Sequence, residues 1–116
     1  MTKLSTHVLD TAHGKPAAGV RIQILTLRDG VWGQIGVVQT NADGRCDAPL
    51  LQGDALRPGR YRLVFHVGDY FRALGHAASE PFLDEVPVEF GIADITRPYH
   101  VPLLVTPWSY AVYRGS

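Results

Sequence analysis

An all-β fold, an antiparallel sandwich with Greek-key connections and one short helix, is what this sequence of 116 residues predicts. Three observations point there. Runs of about four to eight residues alternate apolar and polar side chains, which is the period of a half-buried strand and not of a helix. Gly, Pro and Asp-Gly separate those runs at short intervals, as they do in sandwiches. The runs are rich in β-branched residues, which suit a pleated surface. Seven or eight short strands result, with no repeat, low-complexity tract or linker, so residues 1–116 are expected to form a single domain.

In chain order, Leu4 to Leu9 alternates, with Leu4, Thr6 and Val8 on one side and Ser5, His7 and Leu9 on the other. Thr11 to Gly19, with two glycines and a proline, reads as a loop. Val20, Ile22 and Ile24 mark the next strand, Asp29-Gly30 a hairpin turn, and Val31 to Thr40 the returning strand. Asn41-Ala42-Asp43-Gly44 is a second turn, which leaves Arg45 just beyond it, rooted in the sheet with its tip near solvent. Arg60 to Val67 follows, with Tyr61, Leu63, Phe65 and Val67 facing one way and Arg60, Arg62, Val64 and His66 the other. Asp69 is placed to cap a helical turn over Tyr70 to Leu74 that Gly75 stops. Val86, Val88, Phe90 and Ile92 alternate through a strand that Pro87 assigns to an edge or a bulge. Tyr99 to Val105 alternates again, with His100, Pro102 and Leu104 opposite Tyr99, Val101 and Leu103. Thr106-Pro107 breaks it, and Ser109 to Arg114 is the last strand.

Acidic and basic residues balance at 11 each, and nine of the bases are arginine. That balance removes a general electrostatic case for nucleic acid or an anionic membrane, so the arginines are expected to bind locally. A single cysteine, Cys46, forms no intrachain disulfide, and Met1-Thr2-Lys3-Leu4 leads into polar residues with no apolar signal core, so a reducing, cytoplasmic setting is expected. No apolar run approaches membrane-spanning length, and a soluble protein is expected.

Candidate chemistry is concentrated in few places. Of five histidines, His7 and His100 stand inside strands on the face opposite the better apolar run, where an imidazole projects from a rigid platform and can exchange a proton near neutral pH. His13 lies in a loop, and His66 and His76 flank the helix. There is no HExxH, HxH or cysteine pair, so a metal site would have to be assembled from distant parts of the chain. GxSxG, Walker and GxGxxG motifs are missing as well. Cys46 reads as a small buried side chain. Arg45 and Arg114 are the arginines best placed to grip a planar, carbonyl-rich or anionic ligand with two parallel donors. The closing Tyr113-Arg114-Gly115-Ser116 concentrates a ring, a guanidinium, a glycine and a hydroxyl where chains usually fray into small polar residues.

Taken together, Leu4-Ser5-Thr6-His7-Val8-Leu9-Asp10 with Gly14-Lys15-Pro16-Ala17, then Asp43-Gly44-Arg45, Tyr99-His100-Val101-Pro102-Leu103-Leu104 and the terminal Tyr113-Arg114-Gly115-Ser116 resemble the transthyretin-related 5-hydroxyisourate hydrolases, end to end. The resemblance implies a transthyretin-like (prealbumin-like) sandwich, a homotetramer, and hydrolytic ring opening of 5-hydroxyisourate, the product of urate oxidation. The next product would be 2-oxo-4-hydroxy-4-carboxy-5-ureidoimidazoline. It assigns catalytic roles to His7, Arg45, His100 and Ser116, and substrate binding to His7, Arg45, Tyr113, Arg114 and Gly115, with no metal or other cofactor. One departure stands out: many members carry a histidine just ahead of the HVPLL strand, where this chain has Arg97-Pro98-Tyr99.

On this reading His7 or His100 activates water while Arg45 balances charge on the attacked carbonyl. Alternation in the tail turns Tyr113 and Arg114 to opposite sides, with Tyr113 expected toward the substrate ring and Arg114 pairing elsewhere. A sandwich this small has little room for a deep pocket, so the site is expected between subunits, with no nucleic-acid or membrane partner. Two rival classes use the same strands: a carrier that holds an apolar ligand without catalysis, and an immunoglobulin-like interaction module.

Overall fold

The computed structural model describes residues 2–76 and 79–115. In chain order the strands are β1 (Lys3–Asp10), β2 (Lys15–Pro16), β3 (Arg21–Arg28), β4 (Val31–Gln39), β5 (Leu51–Gln52), β6 (Gly59–His66), β7 (Glu85–Ile92), β8 (Tyr99–Val105) and β9 (Tyr110–Val112). A 3-10 turn covers Gly53–Ala55, and α1 (Val67–Ala73) follows β6. One sheet runs β2-β1-β8-β9, with β5 also paired to β1, and the other runs β4-β3-β6-β7.

The core fills the space between the two sheets. Leu4 and Val8 of β1 and Val101, Leu103 and Val105 of β8 face Ile22 and Ile24 of β3, Tyr61, Leu63 and Phe65 of β6, and Val86 and Val88 of β7, all of them buried. Each such side chain contributes about 1.5–3 kcal/mol by leaving water. The Arg62–Glu89 pair on the outer face of the second sheet, at 2.8 Å, joins two partly exposed groups and is worth at most about 1 kcal/mol. Apolar burial, not surface charge, therefore holds the sandwich closed.

Sequence alternation locates the strands well, and the structure corrects it in four places. The central pair of the first sheet, β1 with β8, is parallel, from Leu4 opposite Tyr99 to Asp10 opposite Val105. The sheet is therefore mixed, because the chain between these strands crosses to the other sheet and returns at the same end. The Gly/Pro segment after β1 contains the short strand β2, paired through Leu9–Pro16 and Asp10–Lys15, and Leu51–Gln52 adds β5. Helix α1 begins two residues before Asp69, with His66 at its N-cap and no side-chain cap; the Gly68 N–H is satisfied instead by the Asp84 carbonyl, 2.9 Å away. Asp69 lies inside the first turn and pairs with Arg72 at 2.9 Å. The last strand is shorter than its alternation suggests, ending at Val112, and Gly115 returns to bridge His100 separately. Pro87 does sit on an edge strand, as its missing N–H requires.

Asp10 ends β1 as a buried carboxylate. Its Oδ1 accepts the Ala12 and His13 N–H groups, both at 3.0 Å, and its Oδ2 accepts His13 Nδ1 at 2.7 Å and the Tyr70 hydroxyl at 2.8 Å. Burial alone would raise this carboxyl, but the hydrogen bonds from Tyr70 and His13 outweigh it and hold the group below the usual carboxylate value.

Candidate active site

His7 and His100 stand on the outer face of the first sheet, on neighbouring strands. The parallel register sets Ser5 directly opposite His100 and His7 opposite Pro102. That juxtaposition puts the Ser5 hydroxyl 2.9 Å from His100 Nδ1, which leaves Nε2 as the ring nitrogen free for other work. Ser5 is a residue that sequence reasoning passed over: alternation puts it on the outer face, but only the pairing of strands far apart in the chain shows what it meets.

The Asn41–Gly44 turn supplies the second part. Asn41 Oδ1 accepts the Asp43 N–H at 2.9 Å and the Arg45 N–H at 3.2 Å, and the Gly44 N–H reaches the Asn41 carbonyl at 3.0 Å. The turn is then pinned to β1, because Val8 N–H donates to the Gly44 carbonyl at 2.8 Å. Gly44 is buried with a φ of 74°, and a Cβ there would run into the Val8 carbonyl, so no larger residue fits. Docked in this way, the turn places the Asp43 carbonyl 2.9 Å from His7 Nε2. A carbonyl only accepts, so Nε2 carries a proton and donates it.

Arg45 leaves this turn exposed and lines, with Ser5, Cys46 and His100, a cleft of about 440 Å³ whose walls also include Lys3, Pro49 and Pro98. Burial, then the positive charge of Arg45 and the neighbouring His7, hold His100 below the ordinary histidine value. The imidazole is therefore neutral at pH 7 and able to accept a proton. Cys46 is half-buried rather than fully buried, and burial with the Asp47 carboxylate pushes its thiol up, which disfavours the reactive thiolate.

The tail reaches this site by its backbone. Gly115 N–H donates to the His100 carbonyl at 2.8 Å, and an added Cβ on Gly115 would lie only 2.6 Å from His100 Cδ2. A hydrogen at that position is what lets the imidazole lie flat against the chain. Arg114 turns away, its guanidinium carbon 4.3 Å from the centre of the Tyr99 ring, a contact worth about 0.5–2 kcal/mol. That ring is fixed in turn, since the Tyr99 oxygen accepts the Ala93 and Asp94 N–H groups at 3.2 and 3.1 Å. Tyr113, 57% exposed, lines a separate recess around Tyr99 together with Arg114 and does not line the cleft of His100 and Arg45. Within one chain, then, the cleft brings Arg45 and His100 together with Gly115 against the His100 ring, while His7 shares the outer face without lining the cleft, and Tyr113 and Arg114 line the recess around Tyr99. Ser116 lies outside the described residues.

A two-sheet sandwich with one short helix and a histidine-bearing outer face defines a transthyretin-type protein. Sea bream transthyretin, solved in complex with thyroxine, superposes with a TM-score of 0.88 at 30% identity over 97% of this chain and 94% of that one. (S)-allantoin synthase matches at 43% identity and a TM-score of 0.93 over 99% of this chain, which spans 44% of the length of that protein. The family model for the HIUase/Transthyretin family matches residues 4–115, and the chain belongs to that family. Among its relatives, the 5-hydroxyisourate hydrolase of Deinococcus radiodurans is 52% identical over 97% of this chain and 95% of its own length. The 5-hydroxyisourate hydrolase of Ralstonia nicotianae is 53% identical over the full length of both.

Two measurements follow from this geometry. An NMR titration should find the His100 midpoint below that of a free imidazole, about 6.5. Because the Arg45 charge disfavours imidazolium, Arg45→Gln should move that midpoint upward; a midpoint that stays in place would show that burial alone sets it. In Gly115→Ala the methyl displaces the His100 ring, and turnover should fall about 10- to 100-fold while the thermal midpoint stays close to that of the parent.

Proposed function

We propose that this chain is a 5-hydroxyisourate hydrolase that opens the substrate ring to 2-oxo-4-hydroxy-4-carboxy-5-ureidoimidazoline, in urate degradation. The observation that carries this reading is the cleft itself, lined by both His100 and Arg45, with His7 on the same outer face of the neighbouring strand. Full-length identity near 50% to named hydrolases supports the choice of substrate.

The reaction adds one water across a ring C–N bond. A neutral imidazole, His7 through Nδ1 or His100 through Nε2, removes a proton from water as its oxygen bonds to the ring carbonyl carbon, and the carbonyl electron pair becomes an oxyanion. Arg45 holds the ring and balances that charge. When the oxyanion collapses, the C–N bond breaks and the imidazolium returns its proton to the leaving nitrogen, which leaves an N–H on one side and, on the other, a carboxylic acid that gives its remaining proton to water and becomes a carboxylate. Ser5 acts earlier, by fixing the orientation of the His100 ring, and the Asp43 carbonyl by holding the His7 ring with Nε2 protonated. Gly115 binds by close backbone approach, and Tyr113, Arg114 and Ser116 are assigned to the substrate or to the wall that closes over it. No step calls for a metal or other cofactor.

The active form is a homotetramer with the cleft closed between subunits, residues 1–116 acting as one domain in the cytoplasm, without nucleic-acid or membrane partners. Trp108, Tyr110, Val112 and Tyr113 are 67%, 46%, 39% and 57% exposed on and around the edge strand β9, an apolar run that favours cover by another subunit. No helix among the described residues is long and apolar enough to cross a membrane.

The test is a cuvette in which urate oxidase generates hydroxyisourate and this protein is added while the ultraviolet decay is followed. Wild type should speed the decay, and His7→Ala and His100→Ala should each lower kcat about 10²- to 10⁴-fold with the fold intact. Near-normal turnover in both variants would refute the mechanism. No acceleration by wild type would instead favour a thyroxine-type carrier, the role that the sea bream complex suggests for this sandwich. Light scattering should report a tetramer, and a fully active monomer would overturn the shared cleft.

A further inference from the structure

A second group of histidines lies outside the cleft and has no part in the reaction. His13, in the loop after β1, presents Nε2 to Nε2 of His76, which follows α1, at 3.3 Å. His13 is held from behind: its Nδ1 lies 2.7 Å from Asp10 Oδ2, and its backbone N–H is bound by Oδ1 of the same carboxylate. An ionised carboxylate only accepts, so Nδ1 carries the proton and Nε2 points its lone pair at His76. The Tyr70 hydroxyl, at 2.8 Å from Asp10 Oδ2, keeps that carboxylate from turning. His76 is seated by its own N–H on the Phe71 carbonyl at 3.1 Å and by its ring against the edge of Phe71, with centroids 5.7 Å apart.

The separations match those of a chelate. Two imidazole nitrogens bound at about 2.0–2.1 Å to one tetrahedral ion lie about 3.3 Å apart, and since each ring centre sits about 1.2 Å behind its nitrogen, the centres lie about 5.2 Å apart. Between the two imidazoles this contact is a hydrogen bond, and centres closer than the roughly 5.6 Å of a head-on pair show that the rings meet at an angle, as two ligands of one ion also do. The ring centroids of His13 and His76 are 5.2 Å apart. A carboxylate behind one ligating imidazole is also the usual outer shell of a histidine-bound metal.

The geometry points to a binding site for a borderline divalent transition ion, of the zinc, nickel and copper class, formed by Nε2 of His13 and Nε2 of His76 with Asp10 as the orienting carboxylate. Two imidazoles suit this class and not magnesium or calcium, which take oxygen ligands. Among the described residues no third histidine, cysteine or carboxylate joins them, so the remaining coordination positions are open. His76 also lines a recess of about 240 Å³ with Phe71, Arg72, Phe82 and Trp108, and that recess shares no wall with the cleft of His100 and Arg45. A metal that needs more than two residues with tight motif spacing would have shown itself in the sequence. This pair is assembled by the fold.

The test is calorimetric titration of the full chain with zinc chloride at pH 7.5, where neutral imidazoles compete least with protons. Wild type should bind one zinc per chain in the micromolar range, copper more tightly, and magnesium not at all. His76→Gln and His13→Gln should each weaken zinc at least tenfold, with shifts on zinc addition confined in wild-type NMR spectra to the His13 and His76 rings. His76 is exposed, so its variant keeps the test valid if His13→Gln disturbs the loop, and unchanged hydroxyisourate turnover in His76→Gln serves as the folding check. Absence of wild-type binding at 1 mM free zinc (about 4 kcal/mol of affinity) would overturn the site. So would zinc binding that survives His76→Gln, or that is lost in His7→Ala instead.

Discussion

The parallel pairing of β1 with β8 is the constraint on which the rest of this structure depends. On its inner side it delivers Leu4, Val8, Val101 and Leu103 to the core. On its outer side it delivers Ser5, His7 and His100 to one face. Because side chains alternate with a period of two, a slip of one residue would bury the histidines and expose the leucines. The hydrophobic core therefore sets the position of the polar site: the free energy that keeps Leu103 inside is also what keeps His100 outside.

Around that pair, fixed geometry comes from direct contacts of main chain and one hydroxyl with imidazole. His7 is oriented by the Asp43 carbonyl, His100 by the Ser5 hydroxyl, and the His100 ring is backed by Gly115. Each contact settles a tautomer or a rotation that a free histidine would sample. Burial first, and then the charge of Arg45, add a different kind of control, since both disfavour the charged form of His100. The turn that carries Arg45 is the same one that orients His7.

Much of this was legible in the sequence, for a physical reason. Strands with one buried face must alternate, so β1, β3, β6, β7 and β8 announce themselves, and the outward places of His7 and His100 follow. What alternation does not encode is pairing over long separations. The parallel sense of β1 and β8, the Ser5–His100 contact and the two-residue strand β5 all depend on partners far along the chain, whereas β2 pairs locally but is too short for alternation to mark it. Helix α1 starts early because the Asp84 carbonyl, and not Asp69, accepts the Gly68 N–H in its first turn. In the tail, strict alternation would carry the last strand to Arg114, but pairing stops at Val112 and Arg114 settles on Tyr99. The His13–His76 pair is the extreme case, two loop residues whose relation exists only once β1 and α1 have packed.

The sequence separation within the central pair also bears on how the molecule comes into being. Ser5 and His100 are 95 residues apart, and nearly everything between them belongs to the opposite sheet or to the connections with it. During synthesis β1 leaves the ribosome first and must wait, with its longest edge unpaired, until β8 is made. The β3–β4 hairpin and the β6–β7 pair can form meanwhile from nearer partners, so the second sheet is a template that exists before the first. Closing so long a loop makes the β1–β8 zipper a late event in folding. The chemistry of this protein is thus assembled last, and a chain stalled before that step would present a β1 edge open to pairing with other chains.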